Sequence, residues 1–172
     1  MEPQELAEAA EKTNESGERA VGLTMAIFAV MLAVSTMLSH RAHTEEVLLE
    51  TQATDQWNYF QANNIRYHVY EADAELANLM GDKGVGAAAD FHGKGEQQKK
   101  DSEKIQSDAE GLGKEVQAVG GRARFYDASE LFLEVAIVLS SISLMARSRL
   151  YWRISFLGAG AGVVLALWGL LH

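Results

Sequence analysis

The sequence predicts an all-α membrane protein: three transmembrane helices, with a long extramembrane antiparallel helical hairpin, coiled-coil-like, between spans one and two. Three observations carry that expectation. Residues 20–39, AVGLTMAIFAVMLAVSTMLS, run for 20 positions without a charge, enough to cross a hydrocarbon core about 30 Å thick. Two further apolar runs stand near the other end of the chain, residues 128–146 and 154–171. Between the first run and the second, nearly everything is polar or amphipathic. The hydrophobic share of 48% is ordinary, so the signal lies in its uneven placement.

Taken in order, residues 1–19 form an acidic N-terminal tail, in which Glu2, Glu5, Glu8, Glu11, Glu15 and Glu18 face only Lys12 and Arg19. A secretory signal wants a short basic start and an early small-x-small cleavage site. The tail has neither, so span one, residues 20–40, reads as a retained anchor. The chain has no cysteine, which excludes disulfides, thiolate metal sites and cysteine nucleophiles. A net charge of −9, with no basic stripe, argues against a nucleic-acid partner.

Residues 41–127 form the extramembrane segment. From Leu48 a stripe recurs at three- and four-residue steps through Thr51, Asp55, Asn58, Ala62, Ile65, Val69, Ala72, Leu76 and Leu79. Such a heptad spacing marks a helix packed along its length. Trp57 and Phe60 share a neighbouring face with Ala53, Asn64 and Tyr67, read as packing on the return helix or on a neighbouring subunit. A glycine-rich tip is expected over residues 81–95, where GDKGVG ends the first helix. A second stripe, Ile105, Ala109, Leu112, Val116, Val119, Ala123, Tyr126, Glu130, Leu133, Ile137, Ser140 and Leu144, runs without a break into span two. The low apolar content of the hairpin calls for a partner, most simply copies of itself.

Span two, residues 128–146, carries Glu130 and Glu134 inside an apolar run. Charged carboxylates at such depth are costly unless paired, hydrated or protonated. Two readings follow. One is an ion or proton path lined by Asp127, Glu130 and Glu134, with Thr51, Asp55 and Asn58 as its mouth. The other is a glutamate hydrogen-bonded to a neighbouring span, at Ser35, Thr36 or Ser39. Residues 147–153 form a short basic loop containing Arg147, Arg149 and Arg153, which the positive-inside rule places in the cytoplasm. The hairpin then lies outside. Span three, residues 154–171, presents Gly158 and Gly162 as a small-residue ridge for close helix packing. His40, His43 and Glu46 fall at three-residue steps near one helix face, a ligand pattern that could hold a transition metal. No cofactor and no catalytic set is expected.

The segment TDQWNYFQANNIRYHVYE, with Trp57, Tyr59, Phe60, Gln61 and Ala62 soon after an anchor, resembles a family of small bacterial membrane proteins catalogued as domain of unknown function 4337. The final pair of spans with a basic connection is similar too. The resemblance implies this architecture in the bacterial inner membrane and no activity. Two functions are therefore expected from the residues: a non-enzymatic, homo-oligomeric structural or accessory subunit in the lipid bilayer, which docks other membrane-complex subunits, or an ion or proton channel.

Overall fold

A computed structural model describes residues 3–171, with side chains from residue 17 onward. The acidic side chains ahead of residue 17 lie outside the described residues. Three α-helices follow one another: α1 (Pro3–Leu79), α2 (Val85–Ala146) and α3 (Arg149–Leu171), with a 3-10 turn, Gly81–Lys83, between the first two. Among the described residues there is no strand. Proline at the first position of α1 gives up no helical hydrogen bond, because the first four N–H groups of a helix have no partner within it.

Each helix holds a window long and apolar enough to cross a membrane, with mean hydropathy 2.2, 1.7 and 2.0 in chain order. Only 17%, 28% and 22% of those windows are buried. Leu23, Val30, Val34, Leu131, Val138, Leu157 and Val164 are all more than half exposed. So much outward apolar surface is consistent with a multi-pass membrane protein, whose outer face is solvated by hydrocarbon.

Contacts divide the chain into two units. The first joins the described residues up to Thr44 with those from Val119 onward, and the second is Glu45–Ala118. In the first, α1 and α2 run antiparallel. Phe28 packs with Leu133 and Ala136, Ser35 meets Ser129, and Ala42 packs with Ala123 and Tyr126. Along α3, Ser155, Ala159, Gly162 and Gly169 are buried, and this small-residue row faces α2. A Cβ on Gly162 would stand 3.0 Å from both Leu133 Cγ and the Ser129 carbonyl oxygen, and one on Gly158 3.4 Å from the Phe132 carbonyl oxygen. Small side chains let the backbones approach, which is what holds helices together where apolar burial brings no gain.

The connection from α2 to α3 is tighter than the basic loop expected over residues 147–153, because α3 already begins at Arg149. The Ser148 N–H bonds the Ser143 carbonyl at 3.2 Å, and the Arg147 N–H bonds that of Leu144 at 3.4 Å. This pair is the Schellman helix ending, whose hinge residue takes a left-handed conformation and is usually glycine. Here the hinge is Arg147, with φ 49°, the sole non-glycine residue with positive φ among those described. A side chain there costs roughly 1–2 kcal/mol.

In the second unit the chain reverses within residues 80–84. Gly81 takes φ 65°, and a Cβ on Gly84 would overlap the Ala77 carbonyl. The expected glycine-rich tip of residues 81–95 is therefore narrower, since Val85 already opens α2. The later glycines stay helical, and Gly95 is buried where a Cβ would lie 3.5 Å from that of Tyr70. Across the unit, Phe91 stacks on Tyr70 with centroids 6.4 Å apart, His92 Nδ1 lies 3.1 Å from Glu71 Oε1, and the Lys99 ammonium sits 5.8 Å from the Tyr67 ring centre. Lys94 donates to Asp90 at 2.7 Å, and that bond raises the lysine above its ordinary range.

Within one chain the stripe from Leu48 to Leu79 faces away from the return segment: Leu48, Thr51, Asp55, Asn58, Ile65, Val69, Leu76 and Leu79 are exposed. The inner seam is made instead by Ala53, Ala74 and Ala77, all buried, and by half-buried Phe60, Tyr67 and Tyr70. Val69, Ala72, Leu76 and Leu79 each follow an inner position by two residues, about 200° around the helix. By contrast, every residue of the second stripe, Ile105 through Leu144, is buried or half-buried.

Candidate functional site

Polar side chains gather on the interior seam of the first unit, and their spacing explains why. Ser35, Ser39 and Ala42 repeat at four and three residues on α1, in phase with Phe28 and Leu32. Ser129 and Ser140 hold the same phase as Leu133 and Ala136 on α2. Small hydroxyls therefore sit where the helices come closest. Ser35 donates to Ser129 at 3.0 Å, and Ser140 to Ser155 at 2.9 Å. Ser155 in turn reaches the Trp152 carbonyl at 2.7 Å, and the Trp152 indole N–H donates to Thr24 at 3.0 Å. Between these bonds lies an apolar layer of Phe28, Leu133, Ala136 and Ala159, with the Phe156 ring edge-on to Phe28 at 5.6 Å.

Asp127 is the most densely bonded of these groups. Its Oδ1 accepts from Ser39 Oγ at 2.6 Å, and His43 Nε2 stands 3.2 Å from each carboxylate oxygen. Ser39 and His43 are one turn apart on α1, so both reach the same carboxylate on α2. Serine, histidine and aspartate do meet, but in an order that does no acyl transfer. A nucleophilic serine needs the imidazole as its base, with the carboxylate behind it. Here the carboxylate stands between the other two and takes the serine proton bond itself.

The remaining predicted residues separate. Glu130 is half-buried, and its Oε1 is buried without a hydrogen-bond partner. Glu134 is exposed on the outer surface of the unit. Neither Ser35 nor Ser39 is the partner of a glutamate, because Ser129 and Asp127 hold them. Within one chain the three carboxylates thus have different surroundings: Asp127 bonds Ser39 and His43, Glu130 is half-buried and Glu134 is exposed. Thr51 and Asp55 are exposed in the second unit, as is Asn58. Within one chain His40, His43 and Glu46 do not converge: no group of three metal-ligating side chains gathers among the described residues, and His43 is turned to Asp127. Trp57 lies edge-on to Phe60 at 5.5 Å. Ile65, Val69 and Leu76 are exposed, while Gly162 is buried and Gly158 half-buried against α2.

The serine pairs were absent from the sequence reading. Their signal was available in the shared phase of Ser35, Ser39, Ser129 and Ser140 with the apolar seam, but no rule names which serine meets which across a register not yet known.

A family model described as a domain of unknown function (DUF4337) matches residues 17–172. No curated protein and no solved structure matches the chain.

Proposed function

The chain belongs to the DUF4337 family, and for it we propose a non-enzymatic role: a multi-pass protein of the bacterial inner membrane that assembles with copies of itself. Residues 41–127 serve as an extracytoplasmic helical hairpin through which the assembly acts as a structural or accessory subunit for other membrane components. Arg147, Arg149 and Arg153 lie on the cytoplasmic side in this reading.

One observation carries it. From Ala62 to Leu79, α1 has two apolar stripes on opposite sides. The return segment covers Phe60, Tyr67, Ala74 and Ala77, and no described residue covers Ile65, Val69, Leu76 and Leu79, each at least 52% exposed. A helix with one neighbour needs one stripe. A second stripe at heptad spacing in a polar segment suits a coiled-coil contact. Copies inserted in one membrane share an orientation, so their outer stripes run parallel and each residue meets its own counterpart about a closed rotation axis.

Native mass after mild extraction from the membrane tests this. A clean multiple of the 18.8 kDa chain is expected. A particle of one chain alone would overturn it, and a mass that demands other polypeptides would leave only the accessory role.

A second reading, an ion or proton channel, is favoured by Glu134. A carboxylate exposed among Leu131, Val135 and Val138 is expensive against hydrocarbon, and enclosure between copies would relieve that cost. Glu134→Gln should abolish flux in reconstituted vesicles and leave assembly intact; vesicles that never conduct would dispose of this reading.

A further inference from the structure

At the turn between α2 and α3 the first unit holds a cleft of about 240 Å³ that the proposed assembly does not use. Glu18 and Val21 of α1, Ser143 of α2, and Arg147, Arg149 and Trp152 help to line it. We infer that this cleft binds the phosphodiester headgroup of an anionic phospholipid.

Charge is the first argument. Neither Arg147 nor Arg149 has an ion-pair partner among the described residues, while Glu18, the acid in the lining, already makes an interaction of its own. Two guanidinium groups beside one cleft offer the forked donors that suit phosphate oxygens. Basic pockets between spanning helices are a recurrent way to hold anionic headgroups.

Arg147 supplies a second, independent argument. Its backbone occupies the left-handed position that glycine takes without cost. A bulky cation there makes the turn less stable than the simplest residue would. Strain of this kind is maintained where a side chain has a task, and among the described residues no ion pair gives it one.

The walls identify the ligand as a lipid rather than a free phosphate. Trp152 is half-buried and tied to α1 through its bond to Thr24, and indoles favour the boundary between headgroups and hydrocarbon. Leu23, Leu150 and Ile154, close in sequence to the cleft, are exposed and apolar, as a surface for acyl chains requires. A zwitterionic lipid brings its own cation to the same point and gains less. The inference rests on membrane placement of the three apolar helices and not on self-assembly.

The test uses the full chain, first shown to resist carbonate extraction, then purified in mild detergent and titrated with phosphatidylglycerol or phosphatidylcholine by native mass spectrometry. Phosphatidylglycerol should be preferred, with roughly fivefold from each arginine. Arg147→Gln with Arg149→Gln should bind both lipids alike. Arg147→Gly should raise the Tm, because the turn relaxes, and yet lose roughly a fivefold share of the preference. A wild-type chain with no preference, or an Arg147→Gly variant that keeps all of it, would overturn the proposal. So would displacement of phosphatidylglycerol by equal glycerol 1-phosphate, which would assign the cleft to soluble phosphates. A chain released by carbonate would remove the membrane placement as well.

Discussion

In the unit from Glu45 to Ala118, two helical segments close over alanines and aromatic rings, and a row of large apolar side chains is left outside. In the unit that holds the three apolar windows the pattern is reversed: leucines and valines cover the outside while Ser35, Ser129, Ser140, Ser155 and Gly162 occupy the seam. On the proposed membrane placement, the difference follows from the solvent each surface meets. In water, apolar area removed from solvent is itself the driving force, about 25 cal/mol per Å², so an exposed row such as Ile65, Val69 and Leu76 is an unmet demand. In lipid that force is absent between helices, and close backbone approach and interhelical hydrogen bonds take its place. On the proposed function, the same exposure serves as a lipid boundary in one unit and as a surface for a partner in the other.

The comparison breaks most readily at the glycine seam. Gly162→Leu should displace α3 or cost about 3 kcal/mol, since even a Cβ would stand 3.0 Å from Leu133 and Ser129 and overpacking of this kind costs 1–3 kcal/mol or more. Thermal unfolding in micelles reads the loss; a Tm equal to wild type would mean that α3 is not seated there. Next in size is Ile65→Asp with Val69→Asp. The pair should reduce the native mass toward one chain while circular dichroism stays unchanged, because both positions lie away from the inner seam. Loss of helicity instead would mean that the outer stripe stabilises the chain itself. The smallest effect belongs to the serines. Ser140→Ala should cost only about 0.6 kcal/mol, and a double-mutant cycle with Ser155→Ala should return a coupling of that order. A coupling of zero would reduce the serine ladder to packing alone.

The helical class and the positions of the three apolar windows were legible because an uncharged run and a 3.5-residue repeat are properties of the sequence itself. Gly162 was legible for a similar reason: small residues at four-residue spacing in an apolar run have little other use. In α1 the face of Ala53, Phe60 and Tyr67 was legible, but its continuation through Ala74 and Ala77 was not, because Ile65, Val69 and Leu76 carry more hydrophobic weight than those alanines. The intrachain contact takes the alanines because small side chains permit close approach, with Tyr67 and Tyr70 filling the wider places beside Gly95 and Phe91. The partners of Asp127 were not legible either. Placed at the edge of span two with Glu130 and Glu134, it looks like the start of an acidic path. Only the register between α1 and α2 shows that Ser39 and His43 claim it.

The central claim is that the outer stripe of α1 is where copies meet, and the absence of cysteine from the chain makes it directly accessible. Single cysteines placed at Ile65, Leu76 and, on the inner seam, Ala74 should be oxidised in native membranes and resolved on a denaturing gel. The account predicts a band at twice the 18.8 kDa chain for Ile65→Cys and Leu76→Cys and none for Ala74→Cys. Uncross-linked chains at both outer positions, or a dimer formed equally from Ala74→Cys, would contradict it.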